Sequence, residues 1–440
     1  MQAFATIADL EGHLERLGFF RIRPELGLMR SVLSRLDAIG NRKPRFVVQV
    51  AGTNGKGSTA TFLASLGMAH SLKVGLYTSP HFVSFRERIR FGFTPVSEDV
   101  LLEPANRIMA LGGEHLTYFE FVTTLAALLF AEAECDIAIM ETGMGGTWDA
   151  VTALPADTVA FTPIGLDHCQ FLGNTIAAIA ADKAGAMRPG KPAFSAPQVP
   201  EALAALSAAA KANKCPFIEP TGPESLPYPI RNGTVSLGLA GIHQYTNAAL
   251  ALAVWREAAN RCGWIETPDE ALESRALHEA FIPGRLQYIP PCPEKKHPAL
   301  LLDGAHNAHG MAALGRALAK DAIAPSAVIF ACLNEKDPKI MAAHLRVLST
   351  GPIFVPPIPD NPRALPPEDI AAAIGLAATP APDMQTALNM ATEHIASYMP
   401  EEAAKHPERY PTLVCGSLYM LAHFFALRPD CLLPQRLSSS

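Results

Sequence analysis

Phe46-Val-Val-Gln-Val50 is a short apolar run that passes directly into Ala51-Gly-Thr-Asn-Gly-Lys-Gly-Ser58, and a helical pattern follows over Thr59–His70. No other stretch constrains the fold as much. A buried strand, a glycine-rich turn and a helix, in that order, build the phosphate-cradling unit of a parallel α/β sheet. Backbone N–H groups around Asn54, Gly55 and Gly57 can turn towards a phosphate, and Lys56 can neutralise phosphoryl oxygens. The Ser58 hydroxyl suits Mg²⁺. Gly57 separates Lys56 from Ser58, whereas an ordinary P-loop runs from lysine straight into serine or threonine. That spacing argues against an ordinary kinase or motor.

Three further apolar runs, Lys73–Tyr77, Asp136–Met140 and Asp157–Thr162, alternate with helical stretches such as Phe119–Ala133. The alternation predicts an α/β fold with a parallel sheet first, and the glycine-rich turn after its first strand makes that part a candidate P-loop parallel-sheet ATPase domain. Residues 202–212 read as an alanine-rich helix, the pattern loosens over 215–240, and a helix resumes at Asn247–Ala259. A second series, Ala299–Asp303, Val328–Cys332, Pro352–Val355 and Thr412–Cys415, predicts a smaller Rossmann-like α/β domain. Proline is abundant, 38 of 440 residues, and one cluster falls between the two series. The expected organisation is an ATP-binding domain over 1–288, a linker over 289–298, a second domain over 299–430 and a loose tail over 431–440.

Composition excludes several classes. Lysine and arginine total 36 against 42 acidic residues, a net charge of −6, which disfavours broad binding to nucleic acid or anionic membranes. No apolar run approaches the ~18 residues of a membrane span, and Asp9 and Glu11 interrupt any secretory pattern. The eight cysteines are scattered without a C-x-x-C pair, so reduced thiols in a cytoplasmic protein are expected.

The other motifs also follow strands. Thr78-Ser79-Pro80-His81 follows the second, Glu141 to Gly146 with Asp149 the third, and Gly165-Leu-Asp167-His168 the fourth. Loops at the carboxyl ends of parallel strands share one crevice, so these groups should converge on the phosphates. Ser79 and Glu141 are natural oxygen ligands for Mg²⁺; His168 is less so, and alone reads as a helix cap or core histidine. Lys183, on an alanine-rich helix, reads by composition as a surface lysine. Asn247 lies at a helix start. Arg285, in Pro283-Gly-Arg285, could fork onto an ATP phosphate or form an interdomain salt bridge. Asp303 and His306 end the first strand of the second series, where a helix cap and an ordinary loop histidine are the alternatives. Ser417, after the last strand, could face the same cleft.

Taken in order, Gly52–Ser58, Thr78–His81, Thr117-Tyr-Phe-Glu120, Glu141 to Asp149, Leu166–His168, Lys183-Ala-Gly185, His243 to Asn247, Pro283–Arg285, Asp303–Asn307 and Gly416–Tyr419 resemble the Mur ligase superfamily. Within it the pattern is similar to the bifunctional dihydrofolate synthase/folylpolyglutamate synthase family, across residues 46 to 420. The resemblance implies an ATP-dependent ligase. ATP would activate a pterin carboxylate as an acyl phosphate, and the amine of L-glutamate would displace phosphate.

Residue by residue, it implies that Asn54, Gly55, Lys56 and Gly57 cradle the triphosphate, and that Asn247, Arg285 and Asp303 contact ATP. Ser58, Ser79, Glu141, His168 and Lys183 would serve two Mg²⁺ ions, Lys183 as a CO₂-derived carbamate. His306 and Ser417 would handle glutamate. Thr117, Tyr118, Phe119 and Glu120, with Trp148, Asp149 and Ala150, would line the pterin side. Thr147-Trp148 departs from the family's arginine-plus-apolar pair, and 331–337 matches its second-domain loop only loosely. The implied partners are dihydropteroate or a reduced folate and L-glutamate, bound by a monomer. A cell-wall Mur ligase would carry a further domain where only 45 residues precede Phe46, and a P-loop switch would not need Lys183, Arg285, Asp303 or a second domain.

Overall fold

The computed structural model describes residues 3–18, 23–38, 43–219, 236–295, 297–375 and 378–433. The chain divides into two compact units: Met1–Leu237 with Tyr245–Ala280, and Gly238–Gln244 with Phe281–Ser440.

The first unit is built on strands β1 (Phe46–Ala51), β2 (Val74–Tyr77), β3 (Ile89–Phe91), β4 (Thr94–Pro95), β5 (Ile137–Glu141), β6 (Thr158–Phe161), β7 (Ala193–Ser195) and β8 (Phe217–Ile218). Their order among the described residues is β4-β3-β2-β5-β1-β6-β7-β8. Six run parallel, and β3 and β4 add an antiparallel edge beside β2. β1 is central and buried at all six positions, as a parallel strand covered on both faces must be. The Lys56–Ala69 helix is almost entirely buried, so it has no polar face. Ser65 in that helix donates to the Ala276 carbonyl at 2.6 Å, holding the Glu270–Glu279 helix against it.

The second unit carries β9 (Gln287–Ile289), β10 (Leu300–Leu302), β11 (Ala327–Phe330), β12 (Ile353–Val355), β13 (Ala378–Pro380) and β14 (Thr412–Cys415), in the order β13-β12-β11-β14-β10-β9. All but β9 are parallel. Its core gathers Leu301, Leu314, Phe330, Leu345 and Ile370 from the sheet and its helices.

Two features differ from the sequence expectation. The stretch 289–298, read as a linker, falls within the second unit, where β9 and β10 pair antiparallel at the sheet edge with Ile289 facing Leu300 and Gln287 facing Leu302. Prolines mark turns and sheet edges as readily as linkers, and here they mark a turn. The expected loose tail is also partly ordered. A 3₁₀ turn at Pro429–Leu432 buries Cys431, whose carbonyl accepts from Gln287 Nε2 at 2.7 Å; residues 434–440 lie outside the described part. All eight cysteines are free. No helix among the described residues is long and apolar enough to cross a membrane.

Candidate active site

In the first unit the loops after β1, β6, β5 and β2 are bonded into one cluster. Thr53 and Asn54 donate their amides to the Pro163 carbonyl, and Thr53 Oγ1 and the Gly165 amide lie 3.1 Å apart. The loop after β6, which carries Asp167 and His168, is thereby fastened to the Gly52–Gly55 turn. Gly55 begins the helix at φ 90°, and a Cβ there would sit 2.4 Å from Asn247 Oδ1. Only glycine allows both that backbone and that approach. Ser58 is buried in the first helical turn, and Lys56 Nζ donates to the Thr53 carbonyl at 3.1 Å.

Ser79 and Glu141 are adjacent: the Ser79 amide donates to Glu141 Oε2 at 3.0 Å. His168 adopts a left-handed backbone, φ 50° and ψ 37°, ahead of the short Cys169–Leu172 helix, and makes no side-chain cap bond there. Its amide donates to Asp167 Oδ1. A non-glycine residue in that region is held by its surroundings and marks a place where strain is stored.

Lys183 is not a surface lysine. It is 4% exposed, and its ammonium donates to the Gly52 carbonyl at 2.8 Å, beneath the glycine-rich turn. Burial, with a smaller contribution from Lys56, pulls its pKa down to about 7. Asp182, beside it, accepts from the Gly146 amide at 2.9 Å and locks the Glu141–Asp149 loop onto the helix. Asp149 is also buried. Its carboxylate holds the Met144 and Val151 amides, while burial pushes its pKa up to about 6. Among the described residues no cluster of three His, Cys, Asp or Glu side chains forms a metal cage. The Ser58 hydroxyl, and the adjacent Ser79 and Glu141, are nonetheless hard-oxygen donors of the kind that suits Mg²⁺, which keeps several waters as ligands.

In the second unit the corresponding loops follow β10 and β14. Asp303 accepts from the Leu286 amide with Oδ2 at 2.9 Å and from the Ala305 amide with Oδ1 at 2.8 Å, so it shapes the turn that presents Arg285. His306 Nδ1 lies 2.7 Å from the Gly304 carbonyl and therefore carries a proton. Ser417 caps the Leu418–Leu427 helix, accepting from the Tyr419 amide at 3.2 Å. Asn307 caps Ala308–Lys320, the role the sequence offered to Asp303.

Sequence comparison agrees with this two-unit arrangement. The Mur ligase middle domain profile matches residues 50–189, and the Mur ligase glutamate ligase domain profile matches residues 284–399. The dihydrofolate synthase/folylpolyglutamate synthase of Bacillus subtilis is 33% identical over 356 residues, 75% of this chain and 80% of that protein. Its Escherichia coli counterpart is 31% identical over 437 residues, 96% of this chain and 95% of that one. The chain belongs to the dihydrofolate synthase/folylpolyglutamate synthase family. A solved bifunctional relative from Yersinia pestis, complexed with AMPPNP and Mn ion, superposes with a TM-score of 0.81 at 28% identity, covering 98% of this chain and 99% of that one.

Within this Mur ligase, the positions expected on the pterin side are not equivalent. Thr117 and Glu120 form a capping box at the start of the Tyr118–Glu132 helix: Glu120 Oε2 accepts from the Thr117 amide at 2.7 Å, and Thr117 Oγ1 from the Glu120 amide. Their polar atoms serve the helix end. Tyr118 is buried with the Arg88 guanidinium 5.3 Å from its ring centre, and Ala150 is buried as well. Phe119 is half-buried against Tyr77, while Trp148 is 51% exposed, so these two present the accessible aromatic surface. Thr117→Ala is expected to cost about 1 kcal/mol, a fall of about 2–4 °C in Tm by thermal melting, with little change in KM for the pterin acid. A large KM increase at unchanged Tm would return Thr117 to the substrate surface.

Sequence reading missed Arg88, whose Nε donates to His81 Nδ1 at 2.8 Å. Burial and the guanidinium together push the His81 pKa down to about 3, so the ring of the Ser79-Pro80-His81 loop is neutral. It also missed Asp182, although the Asp182-Lys183-Ala-Gly185 run was in view.

Proposed function

We propose that the chain joins L-glutamate to the carboxylate of a pterin acid, either dihydropteroate or a reduced folate, at the expense of ATP. The observation that carries this reading is the glycine turn at Gly52–Gly55 with Lys183 beneath it, in a chain matched by both Mur ligase domains. A pterin carboxylate oxygen attacks the γ-phosphorus and ADP leaves. The free amine of glutamate then attacks the acyl carbon, inorganic phosphate departs with the C–O electrons, and the ammonium formed loses a proton.

Both steps are governed by positioning and charge neutralisation. Asn54, Gly55, Lys56 and Gly57 hold phosphoryl oxygens, with Asn247 fixed over the turn. Arg285 supplies a forked cation, and Asp303 orients the loop that carries it. Ser58, Ser79, Glu141 and His168 would hold Mg²⁺, which supplies neutralisation of phosphate charge. Lys183 would complete that set as a carbamate, formed when its neutral amine adds CO₂ and loses a proton; a pKa near 7 keeps a large neutral fraction available. Phe119 and Trp148 offer flat surface to the pterin, and His306 and Ser417 receive glutamate. The free thiols fit a cytoplasmic enzyme.

Purified protein should release ADP only when ATP, a pterin acid and L-glutamate are all present. Assays with dihydropteroate and with a reduced folate monoglutamate report which acids are accepted. ADP release that ignores both co-substrates would indicate a nucleotide hydrolase or switch instead.

A further inference from the structure

Three loops of the second unit, at the carboxyl ends of β11, β12 and β14, meet at one side chain that no motif singled out. Arg363 lies in the proline-rich loop after β12. Its Nη1 donates to Glu335 Oε2 at 3.2 Å, in the loop after β11, and its Nη2 donates to the Tyr419 hydroxyl at 3.3 Å, in the helix after β14. The guanidinium carbon is 5.7 Å from the Tyr419 ring centroid. The backbone joins the same loops, since the Asn334 amide donates to the Arg363 carbonyl at 2.7 Å and the Leu365 amide to the Cys332 carbonyl at 3.1 Å. Arg363 and Glu335 are both largely buried, at 27% and 16% side-chain exposure. The pair is therefore better shielded from solvent than an exposed surface bridge and can fix geometry.

Tyr419 is two residues beyond Ser417, and its amide donates to Ser417 Oγ. Arg363 thus anchors the first turn of the helix that Ser417 caps, at the carboxyl ends of the parallel strands, where ligands bind in open α/β sheets. We propose that Arg363 is a positioning residue for the amino-acid substrate: by tying Tyr419 to Glu335 it sets the placement of Ser417, and so the capture of glutamate. The inference rests on the glutamate-ligase reading above. Lysine in its place can keep the charge toward Glu335 but cannot span both partners with a rigid fork.

The test is steady-state ADP release by wild type, Arg363→Ala, Arg363→Lys and Tyr419→Phe, varying each of glutamate, ATP and dihydropteroate with the other two saturating. Arg363→Ala should raise KM for glutamate by about tenfold, leaving KM for ATP and dihydropteroate within about twofold. Arg363→Lys should fall between it and wild type, and Tyr419→Phe should shift the same constant by a smaller factor. A uniform rise in all three KM values, or an unchanged glutamate KM in Arg363→Ala, would overturn the proposal. Should Arg363→Ala fail to fold by thermal melting, an unchanged glutamate KM in both remaining variants would overturn it equally. The same series is run with a reduced folate monoglutamate where that is the accepted acid, and if wild type shows no glutamate-dependent ADP release with either acid, the ligase reading fails instead.

Discussion

Replacing Lys183 with alanine is expected to lower glutamate-dependent ADP release by about 10³-fold, the scale of losing a principal electrostatic group from a water-excluded site. A short carboxylate such as acetate should restore part of it. Lys183 is nearly fully buried and holds the Gly52 carbonyl, a place where a simple ammonium is costly to keep charged. The same burial lowers its pKa to about 7 and leaves a neutral amine that, on the proposed reading, would add CO₂. Alanine would remove such a carbamate and leave room for a free carboxylate to offer equivalent oxygens. Lys183→Arg keeps a cation, cannot add CO₂ near neutral pH, and should stay inactive with or without acetate. Incorporation of ¹³C-labelled bicarbonate, read by NMR, should give a carbamate signal in wild type and none in either variant. Full activity in a folded Lys183→Ala protein would leave the lysine as a strut under the Gly52 carbonyl.

What was legible in the sequence was what local chemistry forces into contiguous residues. The strand–turn–helix at Phe46–Ala69 is one example, because a phosphate cradle needs its glycines, lysine and serine side by side. The buried strands β1, β5, β11 and β14 were equally visible as apolar runs between helices. Edge strands were not. β4 and β8 have two residues each and β9 three, too few for any periodicity to register. Proline at 290, 291, 293 and 298 reported a turn, but composition cannot say whether a turn separates two units or closes a hairpin within one. Thr117-Tyr-Phe-Glu120 carries a family match and a capping box in the same four residues, and the second signal was available from spacing alone. The meeting of Glu335, Arg363 and Tyr419 was invisible for a different reason. It joins three loops separated by 28 and 56 residues, and only the sheet order brings them together.

Arg285→Ala is expected to reduce turnover by about 10²-fold or more while leaving dihydropteroate binding within about twofold, because in the proposed role a cation on the transferring phosphate would act on the transition state rather than on the pterin. The second unit shows how the side chain is aimed. Pro283-Gly-Arg285 turns into Leu286, which sits in the left-handed region at φ 46° with its amide held by Asp303 Oδ2. The guanidinium then packs on Gly304: a Cβ there would lie 1.9 Å from Arg285 Nη1. Gly304→Ala should therefore mimic Arg285→Ala, displacing the guanidinium although every polar group remains. Arg285→Lys should recover only part of the turnover, since an ammonium neutralises charge without the two-pronged contact. Turnover of the three variants, set beside dihydropteroate binding by equilibrium fluorescence, separates the roles. Unchanged turnover with weakened pterin binding would move Arg285 to the pterin site, and normal turnover in Gly304→Ala would show that the observed packing does not set the reactive position of the guanidinium.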